Sequence, residues 1–222
     1  MKKRKVFTGS AVLLAVLAAA GAIMAYLGAS DDAENTAEVA HDKITVTESF
    51  PKPSDLKANS NNYYVKEVAV ANTGNVDCYV RVYADFPDSQ TTAGAYYSAD
   101  GVNYYSAVRD AELSGDTTTD DNGNVLHTQS FVNMLNAQDG KWIFVPDDDS
   151  NEKLRGYFYY KDPVKAGEST PSLFKDVMIK TGDAPEALDL VVYAESVDSV
   201  YEDNGQAETY ADYASAWNAF LN

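Results

Sequence analysis

The sequence predicts an all-β protein: a jelly-roll-like β-sandwich with an inserted hairpin and short-helix region and a short C-terminal helix. Three observations predict it. Short runs alternating apolar and polar residues recur through the body of the chain. Turn signals rich in Gly, Asn, Asp and Pro separate those runs, as in a sandwich. Within that body, helical spacing is confined to two brief stretches, 128–140 and 208–222. With 16 Tyr and 8 Phe in 222 residues, there is ample material for one core, and the organisation reads as one domain with appendages.

Residues 1–25 read as a signal peptide. "MKKRK" is a basic start, and 6–27 is apolar apart from Thr8, Ser10 and the glycines. A run of about 22 residues is long enough to span a bilayer, so an uncleaved anchor is the competing reading. Against it, the C-terminal half is rich in Ala and Gly, which is weak spanning material, and Ala25 offers a small residue for cleavage before Tyr26. On either reading the rest of the chain lies outside the cytoplasm. Residues 26–42 follow as an extended acidic arm.

Residues 43–200 form the expected sandwich. Positions 43–48 alternate, with Ile44 and Val46 on one face and Thr45 and Thr47 on the other. A polar, Pro-broken loop at 51–62 leads to a second strand at 65–71, closed by "NTGN", where Gly74 is expected to supply a positive φ. A third strand, 78–86, sets Cys78, Val80, Val82, Ala84 and Phe86 on one face and Tyr79, Arg81, Tyr83 and Asp85 on the other. Residues 87–140 read as an elaboration between sandwich strands. They contain a hairpin turning at Asp100-Gly101, a polar loop turning at Asn122-Gly123, and a short helix opened by Thr128 and closed by Gly140. Strands resume at 141–146, 154–162, 172–180 and 188–196. The tail, 201–222, carries an amphipathic helix whose Tyr210, Tyr213, Trp217 and Phe220 or Leu221 recur at three- and four-residue steps. No sortase-type motif or stop-transfer segment follows it.

Charge narrows the function. The formal net charge is −17, and the only basic residues among the first 25 are Lys2, Lys3, Arg4 and Lys5. Removing them leaves 13 basic against 34 acidic side chains, a balance of −21. So acidic a body repels phosphate backbones and anionic membrane surfaces, which argues against nucleic acid as a partner and leaves the uncleaved leader as the membrane contact. A single Cys excludes an internal disulfide, and two His leave little for a transition-metal site.

Each candidate for chemistry has a plainer alternative. Ser residues are numerous, but none lies in a G-x-S-x-G elbow. Cys78 shares a face with Val80 and Val82, so a buried apolar thiol stands against a reactive or intermolecularly paired one. Two acidic turns, with Asp120 and Asp121 in one and Asp147, Asp148 and Asp149 in the other, offer hard oxygens to Ca²⁺; the alternative is two solvated turns. The 116–124 turn is not an EF-hand, since Gly123 falls at the wrong position and no bidentate Glu follows. The pairs Tyr96/Tyr97, Tyr104/Tyr105 and Tyr159/Tyr160 would each place one ring on either side of a strand, as core and surface aromatics, against the alternative of a sugar-stacking or adhesive platform. No cofactor is expected, with calcium the one ion considered.

The basic start, the Ala/Gly-rich run, "AY" at 25–26 and "SDDAENTAEVA" leading into "ITVTESF" resemble signal peptides cut by the SipW-type signal peptidase of Gram-positive bacteria. The stretches "KEVAVANTGNVDCYVRVYADF" (66–86), "GYFYYKDPVKAGESTPSLFKDVMI" (156–179) and "LDLVVYAESV" (188–197) resemble the TasA/camelysin family of secreted proteins. The resemblance implies a secreted protein of the cell surface or biofilm matrix, with that peptidase as one partner and copies of itself or related matrix proteins as others. Camelysin-type proteins are described as metalloproteases, but no H-E-x-x-H motif is present: His41 precedes a strand, and His127 is followed by Thr-Gln-Ser. A non-enzymatic role is therefore expected.

The arm is the leading functional feature. Freed by cleavage, it could add as a strand to the open sheet edge of a neighbour, with Glu34, Thr36, Glu38 and Val39 in the donor segment; the alternative is a passive spacer. TasA-like proteins associate in this way, and the resemblance implies it here. Two other functions remain in view: a surface binding module using 87–140 to engage carbohydrate or protein, and, well behind it, a secreted hydrolase.

Overall fold

A computed structural model describes residues 35–39, 42–49, 61–87, 89–110, 115–146, 152–180, 190–204 and 206–221. The leader with Ala25 and Tyr26, the arm residue Glu34, His41 and the Asp147–Asp149 turn lie outside the described residues.

The chain is an all-β sandwich. In order it forms β1 (Asn35–Val39), β2 (Asp42–Ser49), β3 (Asn61–Asn72), β4 (Cys78–Asp85), α1 (Ser89–Gly94), β5 (Ala95–Ser98), β6 (Asn103–Ser106), β7 (Thr117–Thr119), β8 (Val125–Ser130), α2 (Phe131–Ala137) and β9 (Trp142–Val145). There follow β10 (Tyr157–Tyr160), β11 (Phe174–Lys180), β12 (Val191–Asp198), β13 (Val200–Asp203), β14 (Gln206–Thr209) and α3 (Tyr213–Phe220). The larger sheet runs β1-β2-β3-β11-β5-β6-β8-β7, and the smaller runs β12-β4-β10-β9. The chain passes between the sheets at β3–β4, β4–β5, β8–β9, β10–β11 and β11–β12, the jelly-roll-like winding expected from sequence. Pairing is antiparallel except for β6 with β8.

The alternation in β4 does what its sequence predicts. Cys78, Val80, Val82, Ala84 and Phe86 are buried in the main core, against Val68, Val70, Phe174 and Val177 of the facing sheet. The opposite face of β4 is covered too. Trp217 of α3 is fully buried against Tyr79, Tyr159, Leu154 and Val197. Removing an indole of some 150–250 Å² from water contributes about 4–6 kcal/mol, an upper figure. Asp212 caps α3, its carboxylate accepting from the Ser215 N–H at 2.7 Å.

Three local readings differ from the sequence expectation. Gly74 is not among the positive-φ glycines. Instead the buried Asn72 side chain shapes that turn, accepting from the Gly74 N–H and donating to the Val76 and Val164 carbonyls. Helix α2 is capped by Ser130, not Thr128, because β8 continues through Ser130 before the helix begins. The tail holds, besides α3, the exposed hairpin β13–β14, turning where Asn204 takes φ 51°.

Residues 87–140 are built into the sandwich. Strands β5 to β8 make up half of the larger sheet, and Phe131, Val132, Met134 and Leu135 of α2 belong to the main core. The two turn signals appear as expected, with φ 80° at Gly101 and 83° at Gly123.

Candidate functional site

The candidate site is the edge of the larger sheet where the arm enters. Strand β2 is anchored on two sides. Ile44 and Val46 are buried in the core, and β2 pairs with β3 from Ile44↔Asn72 to Ser49↔Glu67. Its other edge carries β1, paired in five registers from Asn35↔Val46 to Val39↔Asp42. The described part of the arm is thus an outermost strand added to an already anchored one. Of the candidate donor residues, Thr36 stands opposite Thr45, Glu38 opposite Lys43, and Val39 opposite Asp42. Only Ala40 and His41 separate that last pair in sequence.

The other candidates are placed as follows. Asp120 is engaged within its own turn. Its Oδ1 accepts from the N–H groups of Asn122 at 2.9 Å and Asn124 at 2.8 Å, and its Oδ2 accepts from Asn124 Nδ2 and the Tyr63 hydroxyl. Desolvation pushes the carboxyl up, but the donors, led by Tyr63, outweigh it and hold it below its usual value. Asp121 is exposed in the same turn. Among the described residues no three His, Cys, Asp or Glu side chains are grouped to hold a metal ion. Cys78 is fully buried and forms no disulfide.

The tyrosine pairs divide between faces. Tyr97 lies in the core between Phe86 and Phe174, while Tyr96 packs on the outer face with Tyr63, Tyr104 and Met178. Tyr159 faces α3, and Tyr160 packs against the core. His127 stacks on Tyr105 at 4.2 Å and contacts Asn103 Oδ1 through Nε2. Desolvation lowers its pKa, with Asp100 opposing.

Two residues matter more than the sequence suggested. Arg81 is buried on the outer face of the smaller sheet, its guanidinium 4.0 Å from the centre of the Tyr157 ring and 4.2 Å from that of Trp217. It pairs with Glu195 at 2.5 Å and donates to the Tyr159 hydroxyl. Burial opposes its charge, but Glu195 and Tyr159 more than offset that and raise its pKa. Alternation puts Arg81 on this face, but only the position of α3 turns it from a surface charge into a clasp. The second is Asn136 on α2, whose amide bonds to both backbone groups of Phe144.

No helix among the described residues is long and apolar enough to cross a membrane. Comparison of the chain with protein-family models, with curated proteins and with solved structures finds no match.

Proposed function

We propose that this is a secreted, non-enzymatic structural protein of the TasA/camelysin type, from the cell surface or extracellular matrix of a Gram-positive bacterium, in which the N-terminal arm joins one copy to the next by strand donation. The observation that carries the reading is the β1–β2 ladder. The arm contributes a strand joined to the body by backbone pairing with an anchored neighbour, and the same five registers serve whether β1 comes from its own chain or another. Exchange conserves every ladder bond, so cis and trans states differ mainly by the connection at 40–41 and by association entropy. A donor passed head to tail makes a heterologous contact, which propagates rather than closes. In this reading, removal of the leader by a SipW-type peptidase frees the arm, and 6–25 is the membrane tether until then.

The test compares residues 26–222 with a chain beginning at Asp42, by sedimentation and electron microscopy at rising concentration. The reading expects filaments or oligomers from the longer chain alone. Equal behaviour of the two chains removes its support.

A further inference from the structure

A sandwich that associates by strand addition must keep its other edges shut, and β9 carries the means of doing so. This strand is the outer member of the smaller sheet, pairing with β10 from Tyr157↔Val145 to Tyr160↔Trp142. The Gly156 N–H donates to the Val145 carbonyl and the Lys161 N–H to the Lys141 carbonyl, so the odd-numbered positions face β10. Phe144 therefore turns its backbone N–H and C=O away from the sheet, where an incoming strand would bind.

Both groups are taken. The Phe144 N–H donates to Asn136 Oδ1 at 2.8 Å, and Asn136 Nδ2 donates to the Phe144 carbonyl at 2.8 Å. The side-chain amide reproduces the donor–acceptor pair of a neighbouring peptide group. Parallel and antiparallel strands alike use both groups of an edge residue, so this clamp blocks either. Strand β9 has four residues, and outward groups belong only to Trp142 and Phe144; losing one leaves too short a ladder for strand addition. Ion pairs of Lys141 with Asp162 and Lys161 with Asp139 add charge beside the same edge.

We infer that Asn136 is an edge gatekeeper: it closes the β9 edge of the smaller sheet to strand addition. The inference deepens the strand-donation reading, but its first observable, the Phe144 amide, does not depend on that reading. Asn136 is itself exposed, so replacing it leaves water, not a cavity, at Phe144.

The test uses Asn136→Ala and Asn136→Asp, with hydrogen exchange at the Phe144 amide in dilute solution and sedimentation at rising concentration. Asn136→Ala is expected to exchange the Phe144 proton at least about tenfold faster while melting cooperatively. It should also gain an association that persists after deletion of residues 1–41. Asn136→Asp keeps the acceptor and loses the donor, so it should hold the Phe144 amide protected and, because an incoming strand needs both groups, keep the edge shut; fast exchange in this variant counts against the clamp even if the Ala variant does not fold. Unchanged exchange in Asn136→Ala, or sedimentation of Asn136→Ala identical to the parent, overturns the inference. If arm deletion abolishes the parent's assembly while neither variant changes it, the gatekeeper fails and strand donation stands. If arm deletion changes nothing while Asn136→Ala associates through β9, donation fails and the gatekeeper stands.

Discussion

Asp120 shows how one side chain can look like a ligand in sequence and serve as a turn support in the fold. Its four donors come from Asn122, Asn124 and the distant Tyr63. Because its folded pKa is depressed below 3.8, its contribution to stability is present above that value and lost as pH falls through the folded pKa. Tyr63→Phe removes one of these donors, so it should lower stability at neutral pH by about 1 kcal/mol and shrink that acid-limb loss; thermal melts of both chains across the acid range measure both effects. Cys78, sealed between the sheets, should resist thiol reagents in the native protein and react as one thiol only after denaturation. The inward face of Cys78 was readable from alternation with Val80 and Val82. The Tyr63–Asp120 bond was not, because it spans 57 residues and depends on the register of strands far apart in the chain.

At the scale of elements, α3 and the strand face beneath it stand or fall together. Trp217→Ala should cost about 3–5 kcal/mol by leaving a hole over Tyr79 and Tyr159. Arg81→Ala should cost about 2–4 kcal/mol, because it removes the cation between two rings and leaves Glu195 without its partner. Arg81→Ala should shift tryptophan emission to the red as α3 loosens and Trp217 meets water, and Asp212→Ala should cost only about 1 kcal/mol with little shift. Burial raises the phenol of Tyr159 to about 12, with Arg81 opposing, and raises those of Tyr97, Tyr104 and Tyr193. A raised phenol stabilises the fold fully below 10 and loses that contribution as pH rises toward the folded value. Alkaline titration should therefore release these phenolates together, with unfolding. Strands with clean alternation, β4 above all, were legible in sequence, as was the helical spacing of α3. The 87–140 region was not: its β6–β8 pairing is parallel and its register shifts between Tyr105 and Ser106, so local pattern alone does not place it in the sheet.

For the molecule as a whole, charge opposes the association we propose. With the leader gone, each copy carries about −21, and copies repel one another until salt screens them. Association should therefore strengthen with ionic strength, as sedimentation at low and high salt would show. The fold class was legible from the turn spacing and alternation; the arm as an added strand was legible only as an option, since a free tail and an edge strand share the same polar, extended composition. The measurement that bears most directly on donation is a cross-link between paired positions of β1 and β2. Thr36 and Thr45 stand opposite each other, so Thr36→Cys with Thr45→Cys should permit a disulfide across the ladder. Oxidation of assembled protein is predicted to give a ladder of covalent multimers on a denaturing gel, because each bond joins two chains. Cross-linked monomers alone, from an assembled sample, would contradict strand donation.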